Sequence, residues 1–209
     1  MRTLRGVCLA VLSAVAACSP TPSTEAPPVT GSTPLGIRPG TIPSPSGAMN
    51  VIYGGEADPT LRLSAGFLRR SVVGTVETPA RLSWSPDSRR FYVNDPGGAF
   101  RLWTVNARAQ AVESRTIRDA AIAELERRNG CDSVPEGEVA TSGMGWSPDG
   151  SHVYVRAAVR CQTGGCLWTG VNDVVVVSDV ATGDLVETLE RDPARRRWPT
   201  LSWGSVTAP

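Results

Sequence analysis

The sequence predicts an all-β fold of short antiparallel strands with one inserted helix, occupying residues 49–209. Three observations carry that prediction. Short alternating apolar runs recur between Ser-Pro-Asp and Gly-Gly turn signals. The order of strand and turn repeats, with tryptophans at 84, 146 and 203, spacings of 62 and 57, and repeats of this size mean stacked supersecondary units. A single segment, Thr116–Arg128, has a helical apolar period instead.

Ahead of this domain stand two segments of different character. Arg2 and Arg5 open the chain, and an apolar run follows from Val7 to Ala17, its end crowded with Ala14, Ala16 and Ala17. That is the layout of a signal peptide. The run has 11 residues, against roughly 20 for a membrane-spanning helix, and Ser19-Pro20 stop a helix there. Val15-Ala16-Ala17-Cys18 resembles the lipobox of bacterial lipoproteins over four residues. An ordinary signal peptidase site is the competing reading. The resemblance implies a signal peptide at 1–17, cleavage before Cys18 and a diacylglyceryl group on its thiol. It also implies a chain in the cell envelope, held on the extracytoplasmic side of a membrane by lipid. Each buried methylene contributes about 0.8 kcal/mol, so the two or three chains of such a lipoprotein anchor it stably.

Residues 19–48 hold eight prolines among Ser, Thr and Gly and few large apolar side chains. Such a composition buries too little surface to offset its ordering entropy. Residues 18–48 therefore read as a lipid-anchored spacer, roughly 30 Å long as a coil or about 90 Å as polyproline II. Removing residues 1–17 takes away two arginines and no acid. That leaves 19 arginines against 20 acidic residues, a net charge of −1. Nucleic acid, which wants a basic surface, is excluded as a partner.

Within the domain, Val72–Val76 in residues 51–78 reads as the remains of an early unit. Arg81–Ser85 is a short strand, and Ser85-Pro86-Asp87-Ser88 has the chemistry of a type I turn. Arg90–Asn94 alternates around Tyr92, Pro96-Gly97-Gly98 turns, and Phe100–Asn106 follows. In the helix, Ile117, Ala121, Ile122 and Leu125 form one stripe and Glu124 and Arg128 stand at i,i+4. Thr116 with Asp119 suits an N-terminal cap, and Asn129-Gly130 suits the stop. A partner-docking role for this helix competes with simple packing against a sheet edge. Then the order recurs. Gly143–Trp146 leads into Ser147-Pro148-Asp149-Gly150, His152–Val159 follows, and Gly164-Gly165-Cys166-Leu167-Trp168 echoes Gly97–Trp103. Leu201-Ser202-Trp203 looks like a third start.

A Trp-Ser-Pro-Asp-Gly segment followed by a strand, a Gly-rich turn and Leu-Trp resembles the blades of TolB-type, WD-repeat-like β-propellers. The resemblance covers Leu82–Asn106 and Gly143–Leu189, with Leu201–Trp203 partial. It implies a third strand at Asp173–Asp179, a turn at Ala181–Asp184 and an outer strand at Leu185–Leu189. A closed propeller uses at least four blades, and two full and two partial ones are legible. The propeller is thus partial or incomplete unless divergent strands, or a second copy of the chain forming a homo-oligomer, complete the ring.

Cys131, Cys161 and Cys166 remain after cleavage, in an oxidising compartment. Cys161–Cys166 is the preferred disulfide, closing a loop through Gly164-Gly165, with Cys131 to either as the alternative. Three thiols without a neighbouring histidine fall short of a zinc site, so no metal is expected. His152 is the one histidine, beside Ser151, and no Gly-x-Ser-x-Gly elbow exists. Asp87 and Asp149 are accounted for by their turns. Arg195-Arg196-Arg197 before Trp198 reads as a solvated loop, with contact to anionic headgroups or an acidic partner as the alternative. Trp84, Trp103, Trp146, Trp168 and Trp203 read as repeated packing residues. The expected function is a lipid-anchored binding module with no catalytic residues and no cofactor, using loops at one end to hold a protein partner in the envelope. A propeller remnant or accessory subunit of an envelope hydrolase or larger envelope complex is the alternative.

Overall fold

The computed structural model describes residues 26–66, 69–130, 137–160 and 171–204. They form mostly β structure in three antiparallel sheets. The first holds β2 (Gly40–Pro43), β3 (Asn50–Tyr53), β4 (Thr60–Ala65) and β5 (Arg69–Thr75) in chain order. The second holds β6 (Ala80–Trp84), β7 (Arg90–Asn94), β8 (Phe100–Val105) and β9 (Ala111–Ser114), with β1 (Thr33–Leu35) added beside β6. Helix α1 (Thr116–Asn129) leads to the third sheet: β10 (Val139–Trp146), β11 (His152–Val159), β12 (Asp173–Asp179) and β13 (Leu185–Glu190). A second helix, α2 (Arg191–Arg197), follows.

The alternation of side chains explains how the sheets stack. In the middle sheet, Leu82, Trp84, Phe91, Val93 and Trp103 join Val51, Tyr53, Leu61 and Leu63 of the first in one apolar cluster. Tyr92, Phe100 and Leu102 point the other way, into a second cluster with Trp146, Val153, Val155, Val174 and Val176. Ile117, Ala121 and Leu125 of α1 pack into that same cluster. The far face of the third sheet places Met144, Tyr154, Val175 and Val177 against Ala194, Trp198 and Leu201. The layers therefore run first sheet, middle sheet, third sheet, α2. Strands buried on both faces, such as β11 and β12, read as near-continuous apolar runs. Phe91 links the aromatic ladder of the first cluster, its ring 5.0 Å from Trp84 and 5.2 Å from Trp103.

Four expectations are corrected. The spacer does not extend to residue 48: Val29 pairs with Trp146, Thr33–Leu35 pairs with β6, and Gly40–Pro43 pairs with β3. Leu35 and Ile42 enter the first apolar cluster, and prolines 34 and 43 sit on edge strands, where a missing N–H is tolerated. Arg191–Arg197 is a helix, not a loop, so two helices stand where one was expected. Leu201–Trp203 starts no strand: Leu201 is taken into the third cluster, Ser202 N–H donates to Met144 O at 3.2 Å and Trp203 Nε1 to Trp198 O at 3.0 Å. Helix α1 starts at the expected place, but Arg115 holds the capping position without a side-chain hydrogen bond, and Asp119 pairs with Arg118 instead. Its far end matches the sequence: Gly130 is left-handed and Glu124 pairs with Arg128 at 2.8 Å. No helix among the described residues is long and apolar enough to cross a membrane.

Candidate functional site

The two ends of the stack differ in chemistry. At one end, a Ser-Pro turn closes the first hairpin of each sheet, at Ser44, Ser85 and Ser147. The fourth residue of each turn (Gly47, Ser88, Gly150) donates its N–H to the serine carbonyl at 2.8, 2.9 and 2.9 Å. Each serine hydroxyl accepts the N–H of the residue that re-enters the sheet: Met49 at 3.2 Å, Arg90 at 2.9 Å and His152 at 2.8 Å. The turns also touch one another. Ser46 N–H donates to Ser88 Oγ at 2.9 Å, and a Cβ on Gly150 would lie 3.1 Å from Asp87 Cγ. Asp87 and Asp149 accept their own turn's serine hydroxyl at 2.5 and 2.6 Å. Hydrogen bonds from Ser147 and Ser151 hold the Asp149 carboxyl far below the usual carboxylate range.

Ser151 and His152 sit in this turn. Ser151 Oγ lies 2.9 Å from His152 Nδ1, and Asp149 accepts the Ser151 hydroxyl at 2.8 Å. A hydrolytic triad needs the carboxylate on the imidazole, to orient it and stabilise its cation. Here the carboxylate is on the serine, so the order is wrong for proton relay. Of the other residues singled out, Trp84, Trp103 and Trp146 lie in the core and Trp203 is half-buried. Arg197 stacks over Trp198 at 5.2 Å. Cys18, Cys131, Cys161, Cys166 and Trp168 lie outside the described residues. No group of metal-binding side chains occurs among the described residues.

The opposite end carries three concavities. Three cavities of about 430, 460 and 390 Å³ all border the turn that joins β7 to β8, Asp95-Pro96-Gly97-Gly98. The turn closes with Gly98 N–H donating to Asp95 O at 2.9 Å, and Gly98 has a φ of +67°. The first cavity lies between β1, β6, β7 and β10, with Ser32, Arg81, Asn94, Asp95, Ser142 and Ser202 among its lining. Asn94 clamps the middle sheet to the third: its Nδ2 donates to Gly143 O at 2.8 Å and its Oδ1 accepts Gly143 N–H at 2.7 Å. Gly143 must be glycine, since a Cβ there would stand 2.7 Å from the Tyr92 ring. Tyr92 stacks on Trp146 at 5.3 Å, and burial pushes its hydroxyl up to about 12. The Trp146 indole donates to Ser83 Oγ at 3.1 Å, and Ser83 donates to Gly31 O at 2.6 Å. That chain of bonds fixes the segment around Gly31 against both inner strands.

Asp95 is the least satisfied charged group here. Its Oδ1 is buried and finds no hydrogen-bond partner among the described residues. Arg101 approaches the other oxygen at only 3.7 Å, because its guanidinium is held by Glu113 at 2.8 and 3.1 Å and by Thr75 O at 2.7 Å. Burial pushes the Asp95 carboxyl up to about 6, with the Glu77 charge adding to the rise and Arg101 opposing it. From the sequence, Asn94 ends a strand, Pro96-Gly97-Gly98 is a turn and Arg81 is a strand residue, with nothing to mark any of them as part of a site. The available signal was a charged Asp-Pro-Gly-Gly turn in the first repeat with no counterpart at Arg160 in the second.

No family model and no curated protein matches the chain. Among solved structures it is similar to hydrazine synthase of Kuenenia stuttgartiensis, at 17% identity over 74% of this chain and 37% of that one, with a TM-score of 0.39. It is also similar to a triple arginine-to-alanine mutant of AofleA from Arthrobotrys oligospora, at 13% identity over 77% and 46%, with a TM-score of 0.35. The chain thus spans less than half the length of either. Both scores are below 0.5, and neither likeness bears on function.

Proposed function

We propose that this chain is a lipid-anchored, extracytoplasmic binding module with a partial β-propeller architecture and no catalytic activity of its own. The observation that carries the reading is the division of the stack into two ends. One end holds three Ser-Pro turns of the same hydrogen-bond pattern, whose polar groups are spent on one another. The other gathers three cavities around a single turn with an unsatisfied carboxylate. Consecutive four-strand meanders stacked face to face support the propeller reading, as does the recurrence of the same turn at each first hairpin. Helix α2 and Leu201 already cover the outer face of the third sheet. A second copy could complete a ring only by displacing them, so a single chain with an envelope protein as partner is the reading preferred.

Two measurements test it. Replacing Cys18 by Ala should move the protein out of the membrane fraction, and persistent membrane association refutes the anchor. A photo-crosslinking residue at exposed Gly97 should give defined adducts in the envelope, and one at Ser46 in the Ser-Pro turns should not. Adducts at both positions alike, or at neither, refute the cavity end as the binding end.

A further inference from the structure

We propose that the turns of the first and middle sheets at the Ser-Pro end form a basic face that rests on anionic lipid headgroups and holds the tethered chain in one orientation. The inference rests on the reading of the chain as lipid-anchored and adds how the anchored domain meets its bilayer. Three arginines carry it: Arg70 at the start of β5, Arg89 in the Ser85 turn and Arg108 in the turn that joins β8 to β9. All three are exposed, and none has a side-chain partner among the described residues. The turns that hold them are bonded to one another. The Ser71 hydroxyl donates to Ala109 O, and Val105 N–H donates to Arg89 O at 2.8 Å, so the three cations lie side by side. The one acid of these turns, Asp87, is answered by Arg90 at 3.5 Å and by the Ser85 hydroxyl.

The charge reverses along the same two sheets. Their connections at the cavity end hold Glu56, Asp58, Glu77 and Asp95 against Arg38 alone. An anionic surface therefore attracts one end of these sheets and repels the other. The third sheet breaks the pattern, because its turns at the Ser-Pro end hold Asp149, Asp179 and Asp184. Asp179 accepts the Ala181 and Thr182 N–H groups at 2.7 and 3.0 Å, which keeps its carboxyl ionised. The domain thus leans, with the first and middle sheets nearest the headgroups and the third lifted away. The tether is what selects a bilayer over an acidic protein as the occupant. Val29 pairs with Trp146 beside the Ser147 turn, so a lipid on Cys18 brings headgroups to this end of the stack. Each basic side chain near an anionic surface strengthens binding roughly fivefold, and the pull fades within about 8 Å at physiological salt. Three arginines together give roughly a hundredfold. That is too weak to hold an untethered protein and sufficient to orient a tethered one.

The test places the lipidated chain in vesicles of phosphatidylcholine, with or without phosphatidylglycerol, each holding the same amount of a headgroup-labelled quenching lipid. A fluorescent residue stands at Ala48 at the Ser-Pro end, at Ala181 in the third sheet's turn, or at Gly97 at the cavity end, all exposed positions. Quenching at Ala48 should rise at least twofold on the anionic vesicles, less at Ala181 and not at all at Gly97. Salt of about 0.5 M should abolish the rise. Arg70→Gln, Arg89→Gln and Arg108→Gln combined should abolish it too, with an unchanged melting temperature. Equal quenching at Ala48 on neutral and anionic vesicles overturns the proposal, and is the result that an acidic protein as occupant predicts. A rise that survives the triple substitution, or that Gly97 shares, overturns it as well. The anchor reading fails separately, on the Cys18→Ala fractionation.

Discussion

Replacing Asp95 by Asn should stabilise this protein at neutral pH, although the change touches the most polar part of the cavity end. The Asp95 carboxyl is raised from 3.8 to about 6 by burial, and its side chain is only 12% exposed. Each tenfold gain in proton affinity corresponds to about 1.4 kcal/mol, so the ionised form costs the folded state about 2–3 kcal/mol. The sign follows from proton binding. Between pH 4 and 6 the folded chain keeps a proton that the unfolded chain releases, so this group's contribution to stability falls as pH rises through that window and is level above it. An asparagine has no such dependence. The difference between variant and parent should therefore rise from near its low-pH value at pH 3.5 to about 2–3 kcal/mol more by pH 7.5. At roughly 2–4 °C per kcal/mol for a chain of this size, the variant should melt about 4–12 °C higher at pH 7.5, relative to its low-pH offset. Urea unfolding of both proteins at pH 3.5, 4.5, 5.5 and 7.5 measures it. A difference that stays flat with pH, or grows as pH falls, refutes the assigned environment of Asp95.

Three further outcomes follow from contacts elsewhere. Gly143→Ala should cost about 1–3 kcal/mol in urea unfolding, because the new methyl would stand 2.7 Å from the Tyr92 ring in a packed interior. Asn94→Ala removes the two hydrogen bonds by which its side chain holds Gly143 of the third sheet and should cost about 2–3 kcal/mol; it should also speed hydrogen exchange at the Gly143 amide. Arg156→Ala leaves Asp173 without the bidentate partner that holds it at 2.8 and 2.5 Å, and should cost about 3–5 kcal/mol. Parent-like stability in any of the three would contradict the corresponding contact.

Much of the middle and third sheets was legible because their hairpins carry local chemistry. Pro86 and Pro148 fix the turns, and the strands after them alternate or run apolar as their burial requires. The first sheet was largely missed. Ser44-Pro45-Ser46-Gly47 followed by Asn50-Val51-Ile52-Tyr53 is the same unit as Ser85–Asn94, but Ser46 replaces the aspartate and no tryptophan precedes it. Its prolines also made the region resemble a spacer, since composition cannot separate edge-strand prolines from those of a disordered tether. Helix α2 was hidden for a related reason: Pro193 and four arginines suggest a loop, yet a proline in a first helical turn forfeits no hydrogen bond. The cavity was illegible in principle. Arg81 and Asp95 lie in unremarkable local settings and acquire their meaning from partners far away in the chain, Ser32 for one and Glu113 acting through Arg101 for the other.

The pairing of Val29 with Trp146 has a directional consequence. Trp146 ends β10 beside the Ser147 turn, so the chain enters the stack at the Ser-Pro end and runs antiparallel to β10 towards the cavities. A lipid on Cys18 would leave 11 residues before that pairing, a reach of at most about 40 Å. The Ser-Pro turns would then be leashed to the bilayer, while the Asp95 turn, about 25 Å farther along an eight-residue strand, would look outward. So anchored, the protein would offer its cavity end to whatever passes above the membrane, and its Ser-Pro end to the lipid.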